Sequence, residues 1–210
     1  MIPSDLALVQ ACADAYTGGP WDQSWTREDI HVALRHAGEW DIIAFRGSVD
    51  AEDWRDDFRG WPTLHAELGY CHDGFLQGME TAYSELQQAV GTRPVAVTGH
   101  SLGAARALIL AGLMTARNRA PNLVVTFGTP RPGMAKLSNL LLDGGYPIRH
   151  YRNGPDPVCG VPLAVPFLWP YQKPKPDIRL LAAPATESAD PFRWHHIPLY
   201  VEGIKHLAGP

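Results

Sequence analysis

A serine set between two glycines is the clearest chemical signal in this sequence. Residues 99–103 read Gly-His-Ser-Leu-Gly, a G-x-S-x-G pattern with Ser101 at its centre. A β-branched run opened by Pro94 precedes the pattern, and an Ala- and Leu-rich run over 102–111 follows it. A strand, a sharp turn and a helix in that order lift a serine hydroxyl above the end of a parallel sheet. We therefore predict that Ser101 is a nucleophile rather than a helix cap.

A serine hydroxyl is a weak nucleophile at neutral pH and needs a base, which a carboxylate orients. In chain order the carboxylate is expected after the serine and before the histidine. Asp156 fits best, because it follows a predicted strand over 146–152 and lies in a turn with a proline on each side. Asp177 and Asp190 are alternatives that the pattern constrains less.

Three histidines follow Asp156 and are candidates for the base: His195, His196 and His206. His206 lies deep in a predicted terminal helix, where we expect it on the surface. His195 and His196 stand together at a predicted loop-to-helix boundary, and periodicity does not separate them. His100, beside the nucleophile, is expected to pack against the turn.

The negative charge that develops on an attacked carbonyl needs preorganised N–H donors. The residue after the nucleophile, Leu102, supplies one of them. The second is expected from an earlier strand-to-helix loop, and the predicted strand over 40–45 leads into such a loop. There Gly47 permits a close backbone approach, and Ser48 offers its N–H and its hydroxyl.

The remaining pattern alternates strands and helices. Apolar periodicity predicts helices over 5–16, 74–90, 102–111 and 132–143, a last helix within 192–207, and strands over 30–36, 40–45, 122–127 and 146–152. Such alternation predicts an α/β fold with a mostly parallel sheet, helices on both faces and one domain over 1–210. Residues 155–191 hold nine prolines and are predicted to be irregular. Their apolar stretch 161–171 either packs on the body or lines a pocket for an apolar substrate.

The composition of the chain argues against several classes of function. Lys and Arg number 18 against 22 Asp and Glu, a net charge of −4, which argues against nucleic acid as a partner. The three cysteines, Cys12, Cys71 and Cys159, lack zinc spacing and are predicted to be reduced thiols, with one disulfide as the alternative. Neither a secretory signal nor a membrane span is visible. The default prediction is a cytoplasmic protein, and export by another route is the alternative.

Several motifs in the same order resemble the class 3 lipases, the fungal-lipase-like branch of the α/β-hydrolase fold. The motifs are Phe45-Arg46-Gly47-Ser48, His72-Asp73-Gly74-Phe75, Thr98 to Gly103, Phe127 to Gly133, and Asp156-Pro157-Val158 with Val161-Pro162. The resemblance favours His195 over His196, because the family's histidine commonly precedes by five residues a tyrosine, here Tyr200. It implies Ser101, Asp156 and His195 as a catalytic triad, and Ser48 with Leu102 as the oxyanion hole.

The resemblance also implies an activity, that of a carboxylic ester hydrolase of lipase or esterase type without metal or cofactor. Lipid esters or acylglycerols are the expected substrates, with transient contact to a lipid surface. A phospholipase A1, a feruloyl or short-chain esterase and a non-catalytic lipid-binding module are the alternatives. The family's lid follows the oxyanion loop, where residues 50–61 place three aromatic side chains at helical spacing. This segment is either a mobile lid or a permanently docked one.

Overall fold

The structure is a computed structural model that describes residues 1–27, 30–48, 61–184 and 190–209. Apart from Trp61, the segment considered as a lid lies outside these ranges. The helices are α1 Asp5–Thr17, α2 Asp73–Leu76, α3 Met79–Ala89, α4 Leu102–Ala116, α5 Ala135–Asp143 and α6 Ile197–Ala208. The strands are β1 Gln23–Arg27, β2 Ile30–Ala37, β3 Trp40–Phe45, β4 Pro62–His65, β5 Gly69–His72, β6 Val95–His100, β7 Leu123–Phe127, β8 Ile148–Asn153 and β9 Asp177–Leu180. Short 3₁₀ helices cover Pro157–Gly160 and Pro191–His195.

Seven of these strands form one sheet in the order β1-β2-β3-β6-β7-β8-β9. The pairs from β3 to β9 are parallel, whereas β1-β2 and β2-β3 are antiparallel. Every residue of β3, β6 and β7 is buried, as expected of central strands covered on both faces. The carboxyl ends of β3, β6, β7 and β8 therefore meet at one edge of the sheet.

Helices cover both faces of the sheet, and the alternation along each strand divides the core between them. Ile43, Val97 and Val124 face a core that includes residues of α3, α4 and α5. Their strand neighbours Ile42, Ala96 and Val125 face a second core that includes residues of α1 and α6. Helix α4 is buried from Leu102 to Met114, which explains why its sequence is apolar on all sides.

The structure corrects several of the predicted elements. The predicted helix over 74–90 is two helices, because Gly78 adopts a left-handed φ of 71° between α2 and α3. Trp25, predicted in a loop, belongs to β1. The proline-rich region was predicted to be irregular, but its described part contains the 3₁₀ helix Pro157–Gly160 and the strand β9. Strand β9 lies at an edge of the sheet, the position where nearby prolines disturb least. The β4-β5 hairpin has no counterpart among the predicted elements.

All three cysteines are buried, and none forms a disulfide in the structure. Within the described ranges, no helix is both long enough and apolar enough to cross a membrane.

Candidate active site

Ser101 lies at the junction of β6 and α4 with a φ of 60°, a backbone conformation that residues with a side chain rarely adopt. The flanking glycines make this turn feasible. A Cβ on Gly99 would lie 2.2 Å from the carbonyl oxygen of Gly103, and a Cβ on Gly103 would lie 2.3 Å from that of Phe45. The Ser101 N–H donates to the carbonyl oxygen of Phe127 at 3.0 Å, which ties the turn to the end of β7. The strand-turn-helix predicted around Ser101 is therefore present.

The loop after β3 lies directly against this turn. A Cβ on Gly47 would lie 2.9 Å from the Cβ of Ser101 and 2.7 Å from the carbonyl oxygen of His100. Only a glycine lets the backbone approach so closely. The loop brings Ser48, which is half-buried, next to the turn on one side. Leu102 begins α4 on the other side, where the first N–H groups have no acceptor earlier in the helix.

The third part of the site is a buried carboxylate-imidazole pair. Asp156 follows β8, and its Oδ2 lies 2.6 Å from Nδ1 of His195, which ends the second 3₁₀ helix. Both side chains are fully buried. His196 is exposed and precedes α6, so the structure separates the two neighbouring histidines that the sequence pattern could not.

Asp156 is held as a carboxylate by several donors. Burial alone raises the pKa of this carboxyl, but the charge of His195 and the hydrogen bonds from His195, Tyr200 and Val158 outweigh it. The net effect keeps the pKa of Asp156 below its ordinary value. The Tyr200 hydroxyl donates to Oδ2, and the Val158 N–H donates to Oδ1 at 2.9 Å.

The carboxylate-imidazole pair and the serine turn share the end of β7. A Cβ on Gly128, the residue after Phe127, would lie 2.6 Å from Cε1 of His195. The ring of His100, the residue before Ser101, packs on the ring of His195 with centroids 4.5 Å apart. The structure thus brings four of the expected site elements to one edge of the sheet: the serine turn, the Gly47 loop, Asp156 and His195.

His100 connects these parts through a buried hydrogen-bond chain. Burial, together with the neighbouring charge of His195, lowers the pKa of His100 well below its ordinary value, so its imidazole is neutral. Its Nε2 lies 2.8 Å from the carbonyl oxygen of His195, which only accepts, so Nε2 carries the hydrogen. Nδ1 therefore accepts from the Tyr16 hydroxyl, 2.8 Å away. Helix α1 is in this way connected to the backbone of His195.

Tyr16, Tyr200 and Asn153 support the site but were not expected to do so from the sequence. The Asn153 side chain accepts from the Ala182 N–H at 3.0 Å and donates to the Ala182 carbonyl oxygen at 2.9 Å. The backbone N–H of Asn153 donates to the Tyr200 hydroxyl at 3.2 Å. In the sequence, Tyr16 is one of several apolar residues at helical spacing in the predicted helix over 5–16. Its hydrogen-bond partner His100 is 84 residues away. No local pattern reveals such a contact.

Within the described part of the chain, one cluster offers ligand atoms for a metal ion: His65, Glu67 and Glu80. Arg117 already occupies it, because its Nη2 lies 2.5 Å from Glu67 and 2.7 Å from Glu80. These bonds lower the pKa of both glutamates. The guanidinium supplies the positive charge that a cation would bring, so this cluster is an ion-pair network.

Several known proteins are similar to this chain in sequence or fold. A family model described as class 3 lipase matches residues 42–165. The secreted mono- and diacylglycerol lipase 1 of Fusarium solani is 28% identical over 163 residues, which is 73% of this chain and 48% of that protein. A lipase of Rhizomucor miehei is 33% identical over 135 residues, 58% of this chain and 37% of that protein. The chain thus spans about half or less of the length of these relatives.

Among solved structures, a triacylglycerol lipase in which a serine protease triad forms the catalytic centre superposes with a TM-score of 0.66. The two chains are 27% identical, and the match covers 76% of this chain and 74% of that one. The predicted α/β-hydrolase fold is confirmed.

Proposed function

This chain belongs to the class 3 lipase family, and we propose that it is a carboxylic ester hydrolase whose nucleophile is Ser101. Asp156 and His195 complete the triad in this proposal, and Ser48 and Leu102 form the oxyanion hole. One observation carries the proposal. The buried Asp156–His195 pair, with its 2.6 Å contact, lies against Gly128, the residue that follows the strand end to which the Ser101 N–H is bonded.

The chemistry follows from these positions. Asp156 accepts the Nδ1 hydrogen of His195, so Nε2 is the basic nitrogen that takes the proton from Ser101 Oγ. The serine oxygen attacks the ester carbonyl carbon, and the oxyanion that forms receives hydrogen bonds from the Leu102 N–H and from Ser48. His195 then returns the proton to the leaving alcohol. A water molecule, activated by the same imidazole, hydrolyses the acyl-enzyme and regenerates the serine.

The proposed substrates are acylglycerols or related lipid esters. The relatives named as mono- and diacylglycerol lipases support this class. The apolar residues exposed at 163–168, which follow closely after Asp156 in the chain, support it too. Phospholipase A1 activity and hydrolysis of feruloyl or short-chain esters use the same residues and would show in the substrate profile.

Two further points belong to the proposal. Residues 1–210 form one domain, which the packing of α1 on α6 across the chain supports. The secreted relatives favour export over the cytoplasmic location expected by default.

The test is hydrolysis of p-nitrophenyl esters from acetyl to palmitoyl and of emulsified triacylglycerol, by the wild-type protein and by Ser101→Ala. We expect turnover to increase toward longer acyl chains, and Ser101→Ala to lower it by a factor on the order of 10⁶. Turnover confined to the shortest esters would make the protein a short-chain esterase. Turnover that persists in Ser101→Ala would place the nucleophile elsewhere.

A further inference from the structure

Residues 163–169 form a small hairpin, here called the apolar hairpin, that projects apolar side chains from the surface. Val165 and Trp169 exchange backbone hydrogen bonds at 2.9 and 2.8 Å, which close the hairpin. At its tip Phe167 is fully exposed and Leu168 is largely exposed, as is Leu163 at the start of the hairpin. The φ of Phe167 is 64°, a conformation that costs free energy for a bulky residue. Such an exposed apolar tip is suited to binding another molecule rather than to packing in the protein core.

The base of the apolar hairpin is held firmly against the body. The Arg131 guanidinium donates from Nη1 to the carbonyl oxygens of Gly160 and Pro162 at 2.6 and 3.0 Å. The backbone N–H of Arg131 donates to the carbonyl oxygen of Val161 at 2.7 Å. On the other side of the hairpin, the Gln172 N–H donates to Gly133 at 2.8 Å. The exposed tip therefore extends from a base that these hydrogen bonds hold in place.

Amphipathic aromatic side chains stand beside the hairpin. Trp61 is largely exposed and contacts Trp169 edge to face, with centroids 5.1 Å apart. Tyr70 is exposed on β5, and Gly133 bridges the neighbouring Cys71 on one side and Gln172 on the other. Aliphatic and Phe side chains at a tip, with Trp and Tyr behind them, match the order of polarity from hydrocarbon to headgroup region in a lipid layer.

The charges near the apolar hairpin indicate which kind of lipid surface it would bind. Residues 157–172 include no Lys, Arg, Asp or Glu, and the net charge of the chain is −4. Lys173, the next cation along the chain, pairs with Asp177. This face would contribute little electrostatic attraction to an anionic membrane, whereas burial of Phe167 and Leu168 in hydrocarbon requires no charge.

We propose that the apolar hairpin is an anchor for uncharged or zwitterionic lipid surfaces, which it enters with Phe167 and Leu168. The hairpin follows the 3₁₀ helix Pro157–Gly160, whose Val158 N–H holds Asp156. The hairpin is thus joined directly to the segment that holds Asp156 in the candidate active site. The inference goes beyond the proposed hydrolysis and does not require it.

The test measures co-sedimentation with phosphatidylcholine vesicles in the Ser101→Ala background, which prevents any hydrolysis from altering the lipid. Leu168→Ser and Phe167→Asn remove the apolar tip, and Asn tolerates the left-handed φ. Leu207→Ser is the matched control, because Leu207 is 59% exposed on α6 and Leu168 is 62% exposed. We expect each tip variant to weaken partitioning about tenfold, because apolar burial is lost, and the control to bind like its parent.

Far-UV circular dichroism and the melting temperature of each variant verify the fold. Unchanged partitioning of both tip variants overturns the proposal, as does partitioning of the parent protein that high salt abolishes. Failure of the parent protein to bind these vesicles also overturns it and would direct attention to a protein partner. Ester turnover by the wild-type protein is measured separately, so a failure of the proposed function is distinguishable from a failure of the anchor.

Discussion

Asp156 accepts hydrogen bonds from an imidazole, a phenol and a backbone N–H, and it has no exposed surface. This environment explains why a buried carboxylate stays ionised, since the three donors and the charge of His195 offset the loss of hydration. The negative charge in turn fixes the His195 tautomer, with the hydrogen on Nδ1. The basic nitrogen of His195 is then the one that faces away from Asp156.

Replacing Asp156 by asparagine tests this assignment. The amide can donate to Nδ1, which favours the opposite tautomer, so we expect kcat to fall by about 10⁴ with the fold retained. Asp190→Asn is a matched control, because Asp190 also accepts the N–H two residues ahead of it at 2.9 Å and lies at the surface. Steady-state kinetics on a soluble p-nitrophenyl ester measure the difference. Equal loss in both variants, or none in either, would remove Asp156 from the triad.

The loop that follows β3 depends on a glycine for its position. Gly47 packs between the Tyr16 hydroxyl and Ser101, where a Cβ would lie 2.5 Å from the hydroxyl oxygen. The N-terminal helix thereby supports the loop that carries the proposed oxyanion donor Ser48. The same hydroxyl bonds His100, so α1 connects both sides of the site.

Gly47→Ala should displace this loop and lower kcat by about 10²–10³, the loss typical of one misplaced oxyanion donor. Gly91→Ala serves as the control, since a Cβ there meets no atom within 4 Å. The affinity for the substrate should change less than kcat, because the oxyanion forms only during the reaction. A Gly47→Ala enzyme with wild-type kcat would show that the loop does not contribute to catalysis.

An element could be predicted from the sequence when the residues that determine it lie close together in the chain. The turn around Ser101 needs a strand, two glycines and a helix within one short stretch, so the sequence pattern was sufficient. The break at Gly78 was missed because the apolar periodicity continues across it. The strand β9 was missed because its proline-rich surroundings dominate the local signal, although they suit a sheet edge. Tyr16 and Asn153 could not be predicted, because their partners are remote in the sequence.

The stability of the whole molecule should depend on buried neutral histidines. His150 lies fully buried on β8, and its Nδ1 contacts the Thr126 hydroxyl at 2.7 Å. Burial, with the charges of Lys173 and Lys175, lowers the pKa of His150 to about 3. The unfolded chain binds this proton near pH 6.5, so the folded state loses relative stability as the pH falls below that value, until His150 itself titrates near 3.

Between pH 7 and pH 5 this difference amounts to about 2 kcal/mol of unfolding free energy. Over that interval we expect the free energy of unfolding of His150→Gln to fall by about 2 kcal/mol less than that of the wild type. His206→Gln should behave like the wild type, because His206 is exposed. Urea denaturation at the two pH values measures both variants. An unchanged pH dependence in His150→Gln would contradict the burial of a neutral imidazole.

The central claim is that Ser101 is activated by His195, and covalent labelling tests it most directly. The protein is incubated with a fluorophosphonate, and the modified residue is located by peptide mass spectrometry in the wild type and in His195→Gln and His196→Gln. The account predicts label on Ser101 in the wild type and in His196→Gln, with labelling lost or slowed by orders of magnitude in His195→Gln. Folded wild-type protein that carries no label on Ser101, or a His195→Gln variant labelled at the wild-type rate, would contradict it.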